Sequence, residues 1–294
     1  MGRYDFWTPE ELKTLKEKTL FWDYLLPDIK NGVVFAALRG KQIHFYHQGC
    51  KLFGYLPSSG FQTNAAFVVA LKEEQQGEVK ERDLDTLKLI PDFVQGYEQI
   101  KKNTSLYRKR RPEAGEVYDL CKTFSFGKTL EKLEGQIVVL DIELSLESYD
   151  EGKSTDQIDL VLYDRESYEI RFFEVKLLSD SRLRPLKNQT PEVISQLYRY
   201  NNQIEKRRNG LLEDYKEYIK KMSTLLDLVL PLPQEIAPDV ELLLFGFGSS
   251  QKDKDKVKTV VSTIERNNFC CSSLGSASSA GAPTLRKWWR SKYW

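Results

Sequence analysis

The sequence has 294 residues with 44 Lys or Arg and 43 Asp or Glu, which leaves a formal net charge of +1. A balance this close to zero gives no overall positive field, so any nucleic-acid binding must use local basic patches. No stretch approaches the roughly 20 apolar residues of a membrane helix and the N-terminus lacks a secretion-signal pattern, so we expect a cytoplasmic protein without membrane contact. The four cysteines show no CxxC spacing, which predicts reduced thiols.

The first hundred residues predict a helix followed by antiparallel strands. Residues 8–26 have the pattern of a capped helix, since Thr8 can accept a hydrogen bond from the first turn and Pro9 suits that turn. Residues 32–56 are rich in β-formers and are divided by two glycine-containing turns, which predicts a three-stranded meander. We expect residues 1–100 to form an α+β region that could bind a substrate or a partner protein.

The middle of the chain predicts alternating helices and strands. The expected elements are a helix over 112–124, strands over 136–147, 157–164 and 168–178, helices over 191–208 and 211–228, a strand over 240–247 and a helix over 252–266. A strand that returns to a sheet after a helical crossover is normally parallel to its neighbour. The order α-β-β-β-α-β therefore predicts an α/β fold with a mixed sheet flanked by helices.

Residues 269–294 differ in composition from the rest of the chain. They contain the run CCSSLGSASSAGAP, whose small residues predict a flexible linker. They end with LRKWWRSKYW, in which four cations lie among three tryptophans. Such a tail could stack on nucleic-acid bases, dock onto a partner protein or pack back on its own domain, and these alternatives remain open.

Polar residues interrupt the apolar strands of the middle region. Asp159 directly precedes an apolar run, and Glu174 and Lys176 lie near the end of the next strand. Residues i and i+2 of a strand face the same side, so Glu174 and Lys176 project together beside Asp159. Two carboxylates and one ammonium at a sheet edge can bind Mg²⁺ and act on a phosphodiester. The alternative is a structural one, in which Lys176 pairs with Glu174 and Asp159 caps a turn.

The α-β-β-β-α-β order, with Asp159 on its second strand and Glu174-Val175-Lys176 on its third, resembles the PD-(D/E)XK nuclease superfamily. This resemblance implies a restriction-endonuclease-like core. It also implies that Asp159, Glu174 and the Val175 carbonyl hold Mg²⁺ or Mn²⁺. Lys176 would then orient the attacking water or stabilise charge on the phosphate oxygens.

Gln196 and Tyr200 on the following helix are similar to the QxxxY motif of the RecB-like branch of this superfamily. Their i,i+4 spacing places them on one helix face. By resemblance, both residues would line the site and help to hold the substrate strand. The resemblance covers about residues 112–248, and we expect a nuclease domain over 101–268 between the N-terminal region and the tail.

Two assignments within the site have alternatives. Members of the family often carry one further acid on the first helix, for which Glu116 is preferred and Glu113 is the alternative. Glu143, on the first strand, is a third candidate. Asp156 competes with Asp159 as metal ligand, and Asp159 is preferred because the apolar strand starts directly after it.

Basic side chains on either side of the predicted site are candidates for contacts with nucleic-acid phosphates. They are Lys109, Arg110, Arg111, Arg199, Lys206 and Arg207. Either basic run taken alone could equally be a solvated face.

The resemblance implies a metal-dependent nuclease that hydrolyses single- or double-stranded DNA. The sequence has no GxxxxGK[ST] motif, so we expect a stand-alone nuclease or the nuclease subunit of a defence, restriction or repair complex. Partner proteins could bind through the N-terminal region or the tail. The alternatives are a catalytically silent nuclease fold that binds nucleic acid or protein, and cleavage of RNA.

Overall fold

The computed structural model describes residues 6–68, 78–80, 92–128, 135–146, 155–185 and 190–290. The chain divides into two compact units, Met1–Leu133 with Asp214–Leu232, and Glu134–Glu213 with Pro233–Trp294. Each unit contains one β-sheet together with helices, so the protein has a mixed α/β fold. Within the described residues, no helix is both long and apolar enough to span a membrane. The domain boundaries expected at residues 100 and 268 stay predictions.

The first unit begins with α1 (Pro9–Lys16), a π-helical segment (Leu20–Leu25) and α2 (Leu26–Lys30). The capping pattern expected at Thr8 is present, because the Glu11 amide donates to Thr8 Oγ1 at 3.3 Å. The single helix expected over 8–26 is interrupted after α1. The wider π turn places Leu20 and Leu25, which are five residues apart, on the same buried side.

The sheet of the first unit extends the expected meander. Its strands are β1 (Phe35–Arg39), β2 (Gln42–His47), β3 (Cys50–Leu56), β4 (Gly60–Asn64) and β5 (Glu78–Lys80), in that order. All neighbouring strands are antiparallel. The three-stranded meander is therefore confirmed as β1 to β3, while β4 and β5 were not expected from the sequence.

The remaining helices of the first unit are α3 (Ala65–Val68), α4 (Tyr97–Tyr107), a 3₁₀ turn (Arg108–Arg110) and α5 (Pro112–Phe124). The bounds of α5 are those expected. This helix packs against the meander, because the Tyr118 hydroxyl donates to the Val33 carbonyl at 2.8 Å. Gly49, at a left-handed φ of 76°, allows the close approach, since a Cβ there would lie 2.8 Å from the Ala114 carbonyl.

The second unit contains the elements on which the site depends. They are β6 (Ile137–Leu146), β7 (Asp156–Asp164), β8 (Glu169–Leu177), α6 (Glu192–Leu226), β9 (Glu235–Phe245), α7 (Gln251–Arg266), β10 (Cys271–Ser273) and α8 (Ala282–Arg290). The strand order is β10-β9-β8-β7-β6. β6, β7 and β8 form an antiparallel meander, and β9 and β10 add parallel to β8. The mixed sheet and the parallel return after a helix are as expected.

One long helix, α6, replaces the two helices expected on either side of residue 210. Gly210 is exposed, and a side chain at this position would meet nothing within 4 Å. A glycine inside a helix costs only about 1 kcal/mol relative to alanine. Ile204 and Leu211, which flank it, are buried. Packing on both sides of Gly210 therefore outweighs the tendency of glycine to end a helix. The residues of α6 up to Glu213 belong to the second unit.

The flexible linker expected after residue 268 is wrong for the described part of this segment. Cys271–Ser273 pairs with β9 as β10, and Leu285, Trp288 and Trp289 of α8 are buried. The small side chains that suggest flexibility permit close packing instead. A Cβ at Gly275, for example, would lie 2.8 Å from the Phe247 carbonyl.

Candidate active site

The candidate site lies where β7 and β8 separate. The ladder between these strands ends at the pair Leu160–Phe173, so Asp159 and Glu174 are the first residues beyond it. There the Val175 amide donates to Asp159 Oδ2 at 2.8 Å. The Asp159 side chain thus takes the place of the backbone carbonyl that would accept from this amide if the ladder continued. The local unpairing places two carboxylates side by side on one face of the sheet.

Glu174 is the most enclosed member of the site, with 2 % of its side chain exposed. Its Oε1 accepts hydrogen bonds from Lys176 Nζ and, at 2.7 Å, from Gln196 Nε2. Its Oε2 is buried and has no hydrogen-bond partner among the described residues. Burial, followed by the negative charge of Asp159, raises the pKa of Glu174 well above its usual range, against the opposing effect of Lys176.

Asp159 is more accessible, with 29 % of its side chain exposed. Burial of the carboxyl group raises its pKa, while the Lys176 ammonium and the hydrogen bond from Val175 act in the opposite direction. Glu143 on β6 adds a further negative charge that raises the pKa of Asp159. Asp159 and Glu174 therefore compete for one proton or for another positive charge.

Lys176 supplies the one ammonium in direct contact with both of these carboxylates among the described residues. Its side chain is 2 % exposed, and its Nζ donates to Glu174 Oε1 and, at 3.1 Å, to the Val175 carbonyl. The distance from Nζ to Asp159 Oδ2 is 3.9 Å. The pairing of Lys176 with Glu174, suggested by the structural alternative, is thus present. Asp159, however, binds the Val175 amide and does not cap a turn.

Gln196 and Tyr200 share one face of α6, as their spacing predicts. Gln196 Nε2 donates to Glu174 Oε1 and to the Tyr200 hydroxyl, each at 2.7 Å. The Tyr200 hydroxyl in turn donates to the Gln157 carbonyl on β7 at 2.7 Å. Burial raises the pKa of Tyr200, which keeps the hydroxyl protonated as this donor. The chain of hydrogen bonds fixes the carboxylate of Glu174 in position.

Asp156, the competitor of Asp159, has structural partners at the start of β7. It accepts a hydrogen bond from Gln203 Nε2 at 3.1 Å and lies 3.5 Å from Arg199 Nε. Both partners are on α6, so Asp156 joins that helix to the strand. This arrangement favours Asp159 over Asp156 as the acid of the site. It also gives Arg199 a structural role, since its side chain forms an ion pair with Asp156.

The two helix acids lie on α5 in the first unit, whereas the cluster of Asp159, Glu174 and Lys176 is formed by the second unit alone. Glu116 contributes its negative charge to the surroundings of Arg108, whose pKa is raised chiefly by a hydrogen bond to Asp119. The sequence contained no signal for choosing between the strand acid Glu143 and the helix acids, because the distance of each from Asp159 depends on tertiary packing.

The residues expected to contact nucleic acid are placed as follows. On the first unit Lys109, Arg110 and Arg111 are exposed, with the Arg110 guanidinium 5.0 Å from the Tyr107 ring centre. On α6 Lys206 is exposed and Arg207 is half-buried. Their contacts with phosphates stay a prediction.

The donor set fits a hard divalent cation. Asp159 and Glu174 offer carboxylate oxygens, Val175 offers a neighbouring carbonyl, and the buried Oε2 of Glu174 has no protein donor among the described residues. Within the described residues, however, no group of three or more His, Cys, Asp or Glu side chains could hold a metal ion together. Two carboxylates with water as the remaining ligands is an arrangement that Mg²⁺ commonly adopts.

No family model, no curated protein and no solved structure matches this chain. An argument about its function therefore rests on the geometry of the site.

Proposed function

We propose that this protein is a Mg²⁺- or Mn²⁺-dependent deoxyribonuclease of the PD-(D/E)XK type, with the QxxxY arrangement of the RecB-like branch. The observation that carries the proposal is the pair formed by Asp159 and Glu174. Both carboxyl groups have raised pKa values, they lie beside one lysine, and a buried oxygen of Glu174 has no hydrogen-bond partner in the described structure.

A purely structural ion pair explains these features poorly. A buried charge is costly unless its partner and its hydrogen bonds compensate it fully. Here one ammonium serves two carboxylates, and the environment of both carboxylates disfavours ionisation. A divalent cation would reverse this penalty, because it favours the ionised form of both groups.

Each residue has a separate task in the proposed reaction. Asp159 and Glu174 would hold the cation, which would supply Lewis-acid activation of a water and of the scissile phosphate. Gln196 keeps Glu174 in place by donating to its Oε1. Lys176, whose Nζ contacts Glu174 and lies 3.9 Å from Asp159 Oδ2, would donate to the developing charge on the phosphate oxygens.

The topology supports the proposal in part. β6, β7 and β8 followed by α6 and the parallel strand β9 give the β-β-β-α-β order, with the acids at the expected strand positions. The helix that precedes this order, α5, belongs to the first unit. This departure from the family order argues against Glu116 and Glu113 as acids of the site. It does not affect the proposed roles of Asp159, Glu174 and Lys176.

The proposed substrate is DNA, reached through local basic patches because the net charge is only +1. The patches are Lys109 to Arg111 on the first unit and Lys206 with Arg207 on the second. The protein would act alone or as the nuclease subunit of a larger complex.

A cleavage assay tests the proposal. The protein is incubated with single-stranded DNA, double-stranded DNA and RNA of one sequence, with Mg²⁺ or with a chelator. We expect metal-dependent cleavage of DNA, its loss in Asp159→Asn and its retention in Asp156→Asn, a matched change three residues away. Equal activity in both variants would refute the site. Metal-independent binding of DNA without cleavage would favour a catalytically silent binding subunit, and preferential cleavage of RNA would change the substrate.

A further inference from the structure

Four exposed lysines lie in the first two turns of α7, and we call them the lysine row. They are Lys252, Lys254, Lys256 and Lys258. None of them has a hydrogen bond or an ion pair within the part of the chain that the structure describes. The two acids in the same turns bond to other groups, since Asp253 Oδ2 accepts from the Gly248 amide at 3.0 Å and Asp255 Oδ1 accepts from Gln251 Nε2 at 2.8 Å.

The lysine row is unfavourable for its own helix. The N-terminal end of a helix carries a partial positive charge, so cations in its first turns are repelled. Lys252 with Lys256, and Lys254 with Lys258, are also like-charge pairs at i,i+4, which weaken a helix. Four lysines and two acids leave a positive surplus at this place. A surplus that opposes local stability and has no ion-pair partner in the described structure indicates an external anion.

α7 begins at the edge of the sheet that holds the candidate site. β8 and β9 are parallel, so their carboxyl ends lie at one edge. Glu174 and Lys176 are close to the carboxyl end of β8, and β9 ends at Phe245, shortly before α7 begins at Gln251. In open α/β sheets, ligands bind outside the carboxyl ends of the strands. The lysine row therefore lies at the edge where a ligand of this sheet is expected.

α7 also lies on the same face of the sheet as α6. The two helices connect β8 to β9 and β9 to β10, and right-handed crossovers in one direction place both helices on one face. In agreement, the Tyr198 ring of α6 lies 4.7 Å from the ring of Phe269, which follows α7. This is the face of Glu174, to which Gln196 of α6 donates. The opposite face is covered by α8, whose Trp289 ring lies 4.4 Å from the Arg171 guanidinium.

A further cation lies at the same edge of the sheet. Arg184 follows β8 after a short 3₁₀ turn (Ser181–Leu183) and is exposed. Among the described residues, its guanidinium donates to the Ser179 carbonyl at 3.4 Å and to no carboxylate. The segments that follow β8 and β9 thus both carry cations without acidic partners beside the candidate site.

We infer that the lysine row binds phosphates of the DNA strand that enters the candidate site. The inference rests on the proposed function and adds a contact surface to it. The ammonium group of lysine acts on a phosphate as a point charge, and phosphate contacts position a strand without reading its bases. The lysine row would therefore hold the substrate strand at the carboxyl edge of the sheet, with no preference for sequence.

The salt dependence of DNA binding tests the inference without any need for cleavage. Fluorescence anisotropy measures the binding of a labelled single-stranded oligonucleotide of mixed sequence to the full-length protein, with a chelator present, between about 50 and 200 mM salt. One variant changes all four residues of the lysine row to glutamine. The control is Lys287→Gln, which removes an exposed lysine of α8, the helix on the opposite face.

Each lysine that contacts a phosphate of a single strand contributes about 0.7 to the slope of log affinity against log salt. We expect the fourfold variant to bind DNA more weakly and to lose about 1.5 to 3 units of slope, as the loss of two to four contacts requires. Lys287→Gln should keep the wild-type slope. Glutamine is a good helix former and removes the repulsion between lysines, so the fourfold variant should unfold at or above the wild-type temperature.

Three outcomes would overturn the inference. Wild-type affinity and slope in the fourfold variant would remove the lysine row from the binding surface and leave the proposed function standing. A loss of slope per removed charge in Lys287→Gln equal to that in the fourfold variant would show a general charge effect. Absence of both DNA binding and DNA cleavage by the wild type would contradict the inference together with the proposed function.

Discussion

Replacing Glu174 with glutamine distinguishes a cation site from a structural ion pair. The new amide keeps an oxygen that can accept from Lys176 and Gln196, as Oε1 does now. Its NH₂ group takes the place of Oε2, which is buried and has no hydrogen-bond partner in the described structure, and the carboxyl group of Asp159 is close enough to affect the pKa of Glu174. The substitution therefore removes the repulsion between the two carboxylates, and we expect the new NH₂ group to supply a donor that Asp159 can accept.

The sign of the effect follows from the raised pKa of Glu174. A carboxyl group whose pKa is higher in the folded state stabilises the fold below its unfolded pKa, and this contribution is lost as the pH rises through the folded value. Wild type should therefore lose stability relative to Glu174→Gln as the pH increases above about 4.3, the unfolded value for glutamate. One gained hydrogen bond contributes about 1 kcal/mol, which corresponds to about 2–4 °C in the melting temperature of a chain this size.

Thermal and urea unfolding with a chelator present, at pH 5 and pH 8, measure the effect. We expect Glu174→Gln to be more stable than wild type at pH 8, by about 1 kcal/mol, with a smaller difference at pH 5. Addition of Mg²⁺ should then stabilise the wild type only. Destabilisation of the variant by about 3–5 kcal/mol at pH 8, the usual result of breaking a buried ion pair, would refute the reasoning.

Three further substitutions test individual contacts. Lys176→Met should lower the single-turnover cleavage rate by about 100-fold or more while Mn²⁺ affinity stays within a few-fold, and a parallel loss of affinity would contradict its role at the phosphate. Tyr200→Phe removes a hydrogen bond to a backbone carbonyl and should lower the free energy of unfolding by about 1 kcal/mol, measured by urea denaturation. Arg286→Ala removes an ion pair at 2.6 Å from the buried Asp164 and should cost about 3 kcal/mol, whereas the exposed neighbour Lys287→Ala should change stability by less than about 0.5 kcal/mol. Equal effects of Arg286→Ala and Lys287→Ala would contradict the importance of that pair.

Local patterns in the sequence predicted much of the fold. The helix over 112–124 and the strands around Asp159 and Glu174 have the expected positions, because their periodicity agrees with their burial. The prediction that the helix breaks at Gly210 was wrong, because packing along α6 outweighs the small helix-breaking tendency of one glycine. The linker after residue 268 was wrong because small residues permit close packing as well as flexibility.

The part of the site that depends on the periodicity of side-chain directions within one strand or one helix was predictable from the sequence. Glu174 and Lys176 share a face for this reason, and Gln196 and Tyr200 share a helix face. The residues of β6 that lie near Asp159 depend on the register between β6 and β7, which the sequence of one strand does not specify. The assignment of α5 to the first unit likewise depends on tertiary packing.

The most direct test of the central claim is a crystal structure of the protein with Mn²⁺ and a short DNA oligonucleotide, in which anomalous scattering locates the metal. The account predicts a peak within about 2.6 Å of the carboxylate oxygens of Asp159 and Glu174. A phosphate of the bound strand should lie beside this peak, within hydrogen-bond distance of Lys176 Nζ. Absence of metal at this pair in a crystal that holds Mn²⁺ or DNA elsewhere would contradict the account.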